Sequence, residues 1–272
     1  MIDREGRRLG FVRVLAHSSR SQVLEVRRGD ERLALKVVFA GEDEGLWREF
    51  RRETAALSVV DHPNVVRAIE HGEAGGGIGW VLMPLYDGVT LHTRLRTGRP
   101  LSPRRACRLF GEYLAGLAEL HDLGLYHRDI SPKNLFIARV GKTTRGVVLD
   151  LGRVELAAYP TGTGEHVTGT PGYLAPEQIL GGLTDARTDI FSMGLCLFEA
   201  LAGAPAVPSF DTMVVFDQGV PSLANLRPGA GLEAISRVIE RATRITPGDR
   251  FASAADFAGA LREAQVACEE AA

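Results

Sequence analysis

Cysteine is scarce in this sequence, with Cys107, Cys196 and Cys268 as the whole complement. Their odd number and lack of metal-ligand spacing argue against a disulfide framework and a zinc site, and they read as free thiols in a reducing compartment. Long hydrophobic runs are missing too. No uninterrupted apolar stretch reaches the ~18 residues that a bilayer-spanning helix needs, so no membrane span is expected. The opening MIDREGRRLG lacks the apolar core of a secretory signal, and a cytoplasmic protein is expected. Charge is nearly balanced, at a formal −2, which removes the electrostatic case for nucleic acid or a membrane surface as partner. Internal repeats and low-complexity linkers are absent as well. What remains is an ordinary globular composition, 45% hydrophobic and 24% charged, in 272 residues. That length suits one large domain or two small lobes sharing a cleft.

The first third reads as strands with one helix. Segments near 10–16, 22–27 and 33–39 are rich in valine and leucine and are separated by polar turns. Residues 45–60 carry a helical pattern in which Phe50, Glu53 and Leu57 share a face, so Glu53 sits on an otherwise apolar, inward side. A carboxylate there is costly unless a cation meets it. Two more strands are expected at 65–71 and 78–85, joined by the loop EAGGGIG.

From residue 88 onward helices dominate. Ser102 and Pro103 make an N-cap and first-turn pair. Ala106, Leu109, Phe110, Tyr113, Leu114 and Leu117 then form an apolar stripe, and residues 185–202 are apolar almost all round, as in a buried central helix. Amphipathic helices follow near 231–243 and 253–264, and the end CEEAA is expected to fray. The change from strand-rich to helix-rich sequence near residue 85 divides the chain into 1–84 and 85–272.

The strongest local signal is LYHRDISPKNLFI at 125–137, where Asn134 follows Asp129 by five residues on a loop between a helix and a strand. Beyond it come VVLDLG with Asp150, GTPGYLAPEQ at 169–178, DIFSMG at 189–194 and PGDRF at 247–251. Upstream, LALKVV puts Lys36 on a strand. This ordered set resembles the eukaryotic-like protein kinase family, in its bacterial serine/threonine branch, over about residues 9–265. The resemblance implies an α+β bilobal fold, with a five-stranded antiparallel sheet and one helix in 1–84 and a mainly helical lobe in 85–272.

It also implies a chemistry. Phosphoryl transfer from ATP asks for positioning and charge neutralisation more than covalent chemistry. On the family's pattern Lys36 pairs with the α- and β-phosphates and Glu53 holds it, which accounts for the inward carboxylate. Asp129 is similar to the base that receives the substrate hydroxyl, and Asn134 and Asp150 to the ligands of Mg²⁺ or Mn²⁺. Counting along the hinge puts Met83 at the gatekeeper position, with the Pro84 carbonyl and the Tyr86 N–H toward adenine. Glu177 and Arg250 read as a fold-maintaining buried ion pair. His127, Leu57, Leu151 and Asp189 read as internal packing. Protein substrates carrying serine or threonine are implied as partners, with a homodimer as one route to trans-autophosphorylation.

Two departures stand out. The glycine-rich loop has Ala16, Ser18 and Ser21 at its glycine positions, followed by Val23. Glycine lets backbone N–H groups approach phosphate closely, and losing one or two such hydrogen bonds costs roughly 1–3 kcal/mol. The Ser18 and Ser21 hydroxyls or Arg20 are the candidates for substitute contacts. In the catalytic loop, Ser131 stands where the serine/threonine branch carries lysine, and Lys133 is expected to make the γ-phosphate contact instead. Arg128 beside Asp129 is the arrangement that in this family answers to an activation-loop phosphate, for which Thr161, Thr163 and Thr168 are candidates, whereas Thr170 reads as ordering Asp129. These departures keep a second reading open, a pseudokinase or slow kinase acting as a nucleotide-binding scaffold. A small-molecule kinase of the aminoglycoside type is disfavoured by Arg128 and the complete APE and DIFSMG segments.

Overall fold

Segments rich in valine and leucine build a sheet from the first third of the chain. The computed structural model describes residues 3–157, 169–207, 219–227 and 232–270. Contacts divide the chain into two units, one running to Asp87 and including Asp150–Gly152, the other comprising Gly88–Leu149 and the residues from Arg153 onward.

In the first unit β1 (Gly10–His17), β2 (Ser21–Arg28), β3 (Glu31–Phe39), β4 (Glu70–Ala74) and β5 (Ile78–Pro84) form one antiparallel sheet, ordered β1-β2-β3-β5-β4. Leu9, Val26, Leu33, Leu35, Val37 and Leu82 make its core. Because β3 is central, Lys36 lies in register with Val23 on one side and Val81 on the other. Helix α1 (Glu44–Val59) starts at Asp43, whose carboxylate accepts the Leu46 N–H at 3.0 Å. It buries Trp47, Phe50 and Leu57 along with Glu53. Phe50 lies so close to β5 that a Cβ on Gly79 would stand 2.8 Å from its ring, so glycine is what lets the helix seat.

The strand expected at 65–71 begins only at Glu70. Val65 makes a single isolated bridge and Val66 none, and both are apolar because they are buried beside a turn, not because they lie in a strand. The Val65 N–H donates to the His62 carbonyl at 3.1 Å, and Ala68 is tied to the Leu57 carbonyl at 2.9 Å. EAGGGIG is correspondingly shorter as a loop, since Glu73 and Ala74 belong to β4.

The second unit carries α2 (Leu91–Leu95), α3 (Pro103–Asp122), α4 (Pro176–Ile179), α5 (Ala186–Ala202), α6 (Leu223–Leu226), α7 (Glu233–Ala242) and α8 (Ala254–Glu270). Short strands accompany them. β6 (Gly88–Thr90), β8 (Leu135–Val140) and β9 (Thr143–Val148) form one antiparallel sheet, and β7 (Leu125–Tyr126) pairs with β10 (Glu155–Leu156). Ser102 caps α3, accepting the Arg105 N–H at 3.4 Å, and the Ala106–Leu117 stripe is fully buried. Helix α5 is buried from Thr188 to Leu201 and stops at Gly203, whose φ of 82° is the left-handed cap a β-carbon would oppose. Helix α8 runs six residues past the expected end at 264, to Glu270. The fraying expected of CEEAA does not begin at Cys268, which is buried. Among the described residues no helix is long and apolar enough to cross a membrane.

Candidate active site

The segment between β7 and β8 holds the Asp129 carboxylate in a defined setting. Thr170 Oγ1 donates to Oδ1 at 2.7 Å, and the Asn134 amide donates to Oδ2 at 3.2 Å and to the Asp129 carbonyl at 2.8 Å. Arg153 Nε lies 3.5 Å from Oδ2. The Asn134 N–H closes the loop on the Ser131 carbonyl at 2.9 Å, and its own carbonyl accepts the Leu149 N–H at 2.8 Å. Ser131 is buried with its hydroxyl 3.4 Å from Thr170 Oγ1.

Beneath this loop lies a buried anion. Asp189 accepts the N–H groups of His127 at 2.8 Å and Arg128 at 2.7 Å, and its Oδ2 is 2.9 Å from His121 Nε2. A carboxylate only accepts, so Nε2 carries the proton. Burial would raise the Asp189 pKa, but the hydrogen bond and charge of His121 outweigh it and hold the group below the ordinary aspartate value. Arg128 takes a left-handed φ of 61°, a conformation that non-glycine residues keep only when surroundings enforce it. Its carbonyl accepts Gln178 Nε2 at 2.9 Å, and its guanidinium meets Glu155 Oε2 at 2.9 Å.

In the first unit, Lys36 Nζ lies 2.5 Å from Glu53 Oε1 and 3.1 Å from Asp150 Oδ1. Burial alone would lower the Lys36 pKa; the two carboxylates more than reverse this, so the ammonium stays charged. Burial pushes Glu53 up, against the pull of Lys36. Asp150 is itself at a left-handed φ of 58°, and its Oδ1 accepts the Gly152 N–H at 3.2 Å.

The β1–β2 hairpin closes on Ser18. Its hydroxyl accepts the N–H groups of Ser21 at 3.0 Å and Arg20 at 3.3 Å, and it lies 3.1 Å from Ser21 Oγ. The turn is therefore set by a side chain where a glycine turn would be set by backbone freedom. Ala16 and Val23 are register partners in this hairpin, and Met83 and Pro84 end β5 opposite Ala34 and Leu33, with Tyr86 just beyond.

A family model described as the protein kinase domain matches residues 13–233. The chain belongs to the protein kinase domain family. The serine/threonine-protein kinase pkn2 of Myxococcus xanthus is 37% identical over 163 residues, covering 58% of this chain and 19% of that protein. The serine/threonine-protein kinase PknB of Mycolicibacterium smegmatis is 32% identical over 239 residues, covering 83% and 37%. For the serine/threonine-protein kinase PkaA of Streptomyces coelicolor the figures are 33% over 235 residues, 85% and 43%. The kinase domain thus spans less than half the length of these curated relatives.

Within the kinase domain, Lys36, Glu53 and Asp150 come together, as do Asp129, Asn134 and Thr170. Lys133 is exposed and has no hydrogen bond or ion pair among the described residues. It lies near His92, whose pKa falls through burial and then through the Lys133 and Arg96 charges. Thr161, Thr163 and Thr168 lie outside the described residues. Two charged residues here carried no sequence signal, Arg153 and Glu155. Each lies in RVEL, which has no motif, and each meets a partner far away along the chain.

Proposed function

We propose that the domain transfers the γ-phosphoryl group of ATP to serine and threonine hydroxyls of proteins. The observation that carries this reading is the Asp129 carboxylate, fixed by Thr170 and Asn134 yet partly exposed. The acceptor oxygen bonds to the γ-phosphorus as the bond to the β–γ bridging oxygen breaks; the hydroxyl proton passes to Asp129, and ADP leaves. Lys36, charged and held by Glu53, receives the α- and β-phosphates. Ala16, Ser18, Ser21 and Val23 cover the phosphates. Met83, Pro84 and Tyr86 receive the adenine.

The donor set suits a hard divalent cation. The Asn134 amide nitrogen is committed to Asp129, which leaves its oxygen to ligate, and the Asp150 carboxylate is half exposed. Mg²⁺ or Mn²⁺ would neutralise phosphate charge there.

Lys133 is assigned to the γ-phosphate. Lys133→Ala is expected to lower kcat about 10-fold or more, the worth of one charge-assisted hydrogen bond; unaltered turnover would remove it from the mechanism. Ser18→Ala releases two turn N–H groups and is expected to weaken ATP binding about 5-fold by calorimetry. An unchanged affinity would mean that the hydroxyl serves only the apo hairpin.

The reading is tested by radiolabel transfer from ATP to histone and to the protein itself, with Mg²⁺ or Mn²⁺. Phosphoserine or phosphothreonine is the expected product. No transfer with either metal, alongside measurable nucleotide binding, would leave a nucleotide-binding scaffold. Autophosphorylation at Thr161, Thr163 or Thr168, through a homodimer, belongs to the same proposal.

A further inference from the structure

Arg128 precedes Asp129, and its backbone is bent into a region that strains any side-chain-bearing residue. Two of its holds are hydrogen bonds at the backbone, from Arg128 N–H to Asp189 and from Gln178 to the Arg128 carbonyl. The third is ionic. Glu155 is almost wholly buried, at 2% exposure, and lies opposite Tyr126 in the β7–β10 pair. Its Oε2 is 2.9 Å from Arg128 Nη1 and accepts Thr184 Oγ1 at 2.7 Å. A carboxylate so buried is tolerated only when paired, and the mostly buried guanidinium has the same need. The pair therefore fixes the Arg128 side chain from within the second unit, and the Arg128 guanidinium already has an anion at its side.

We propose that Glu155 is the positioning residue of the catalytic loop, a permanent internal anion that holds Arg128, and with it Asp129, without a phosphate on Thr161, Thr163 or Thr168. The proposal rests on the kinase reading and gives that site its mode of control. A phosphate brought to Arg128 would have to displace Glu155 or sit beside it, at the cost of like-charge repulsion.

The whole chain is tested after phosphatase treatment and as the Thr161→Ala/Thr163→Ala/Thr168→Ala variant. Both should phosphorylate histone within about threefold of the untreated protein, since no transition-state contact has been removed. Glu155→Gln should lose about 30-fold in kcat with KM for ATP within about twofold, and Glu155→Asp should regain part of that loss. A second readout needs no catalysis. Amide exchange across residues 126–134 in phosphate-free protein should quicken about 10-fold in Glu155→Gln, with α5 unchanged. Thr184→Val, which removes one hydrogen bond from Glu155, should shift exchange the same way by less, and replaces Glu155→Gln if that variant does not fold.

Unchanged loop exchange in these variants overturns the proposal. So does a phosphatase-treated chain with under about a hundredth of the phosphorylated activity. A wild type that transfers nothing, yet shows Glu155-dependent protection of the loop, sinks the kinase reading and upholds Glu155 as the positioning residue.

Discussion

Asp129→Asn is expected to lower the rate of phosphoryl transfer about 10²- to 10⁴-fold, the span that a positioned general base contributes. The substitution keeps size and shape but removes the group that can take the hydroxyl proton. Asparagine replaces one carboxylate oxygen by an NH₂ donor, which would face Thr170 Oγ1, while its remaining oxygen still accepts from the Asn134 amide; in the native chain each of these groups donates to a different Asp129 oxygen. The Thr170 hydroxyl can rotate to accept, so the loop retains its course and the melting temperature should move little. ATP affinity, set in this reading by Lys36 and the hairpin, should stay within about twofold, which separates chemistry from binding. Radiolabel transfer to histone and nucleotide titration by calorimetry give both numbers. A loss smaller than about threefold would move the proton acceptor elsewhere.

The largest effect on stability is expected at Arg250. Its side chain is fully buried, and Nη1 and Nη2 each lie 2.8 Å from a Glu177 oxygen. The same guanidinium donates to the carbonyls of Arg244 at 2.7 Å, Arg187 at 2.8 Å and Ile245 at 2.9 Å, and lies over the Phe191 ring. Arg250→Met removes the cation and leaves Glu177 buried with the Thr188 hydroxyl, at 2.8 Å, as its remaining partner of these two. Breaking one side of such a pair costs about 3–5 kcal/mol. Arg250→Lys should recover little, because an ammonium cannot supply the planar fork. Adding Glu177→Gln to Arg250→Met should return part of the loss by removing the stranded charge. Urea denaturation of the wild type, Arg250→Met, Glu177→Gln and the double variant measures the coupling; a loss under about 1 kcal/mol for Arg250→Met would mean that water reaches the pair.

Much of this site is legible from sequence where a local rule forces a partner. Glu53 shares a helical face with Phe50 and Leu57, so it requires a cation, and Lys36 meets it. The α3 start follows from the Ser102–Pro103 cap and its apolar stripe from 3.6-residue periodicity. Val65 and Val66 misled because burial beside a turn and burial in a strand leave the same apolar signature over a few residues. Arg153 and Glu155 were illegible for a different reason. They flank Val154 in one short segment, yet one meets Asp129 and the other Arg128, and only tertiary packing decides which charge goes where. The hairpin lies between these cases: missing glycines were visible, but not that the Ser18 hydroxyl would take over the turn.

Asp150–Gly152 belong by contact to the first unit although the residues on both sides belong to the second. The chain therefore changes unit at three peptide bonds, after Asp87, after Leu149 and after Gly152. A fragment cut at Asp87 would contain Lys36 and Glu53 but not the second carboxylate that helps keep the lysine charged. Its complement would carry Asp150 with no ammonium to meet it. No single cut, natural or engineered, divides this protein into two self-sufficient pieces, so recombination between relatives at residue 87 should yield chimeras whose fitness depends on matching three residues from the far side of the gene.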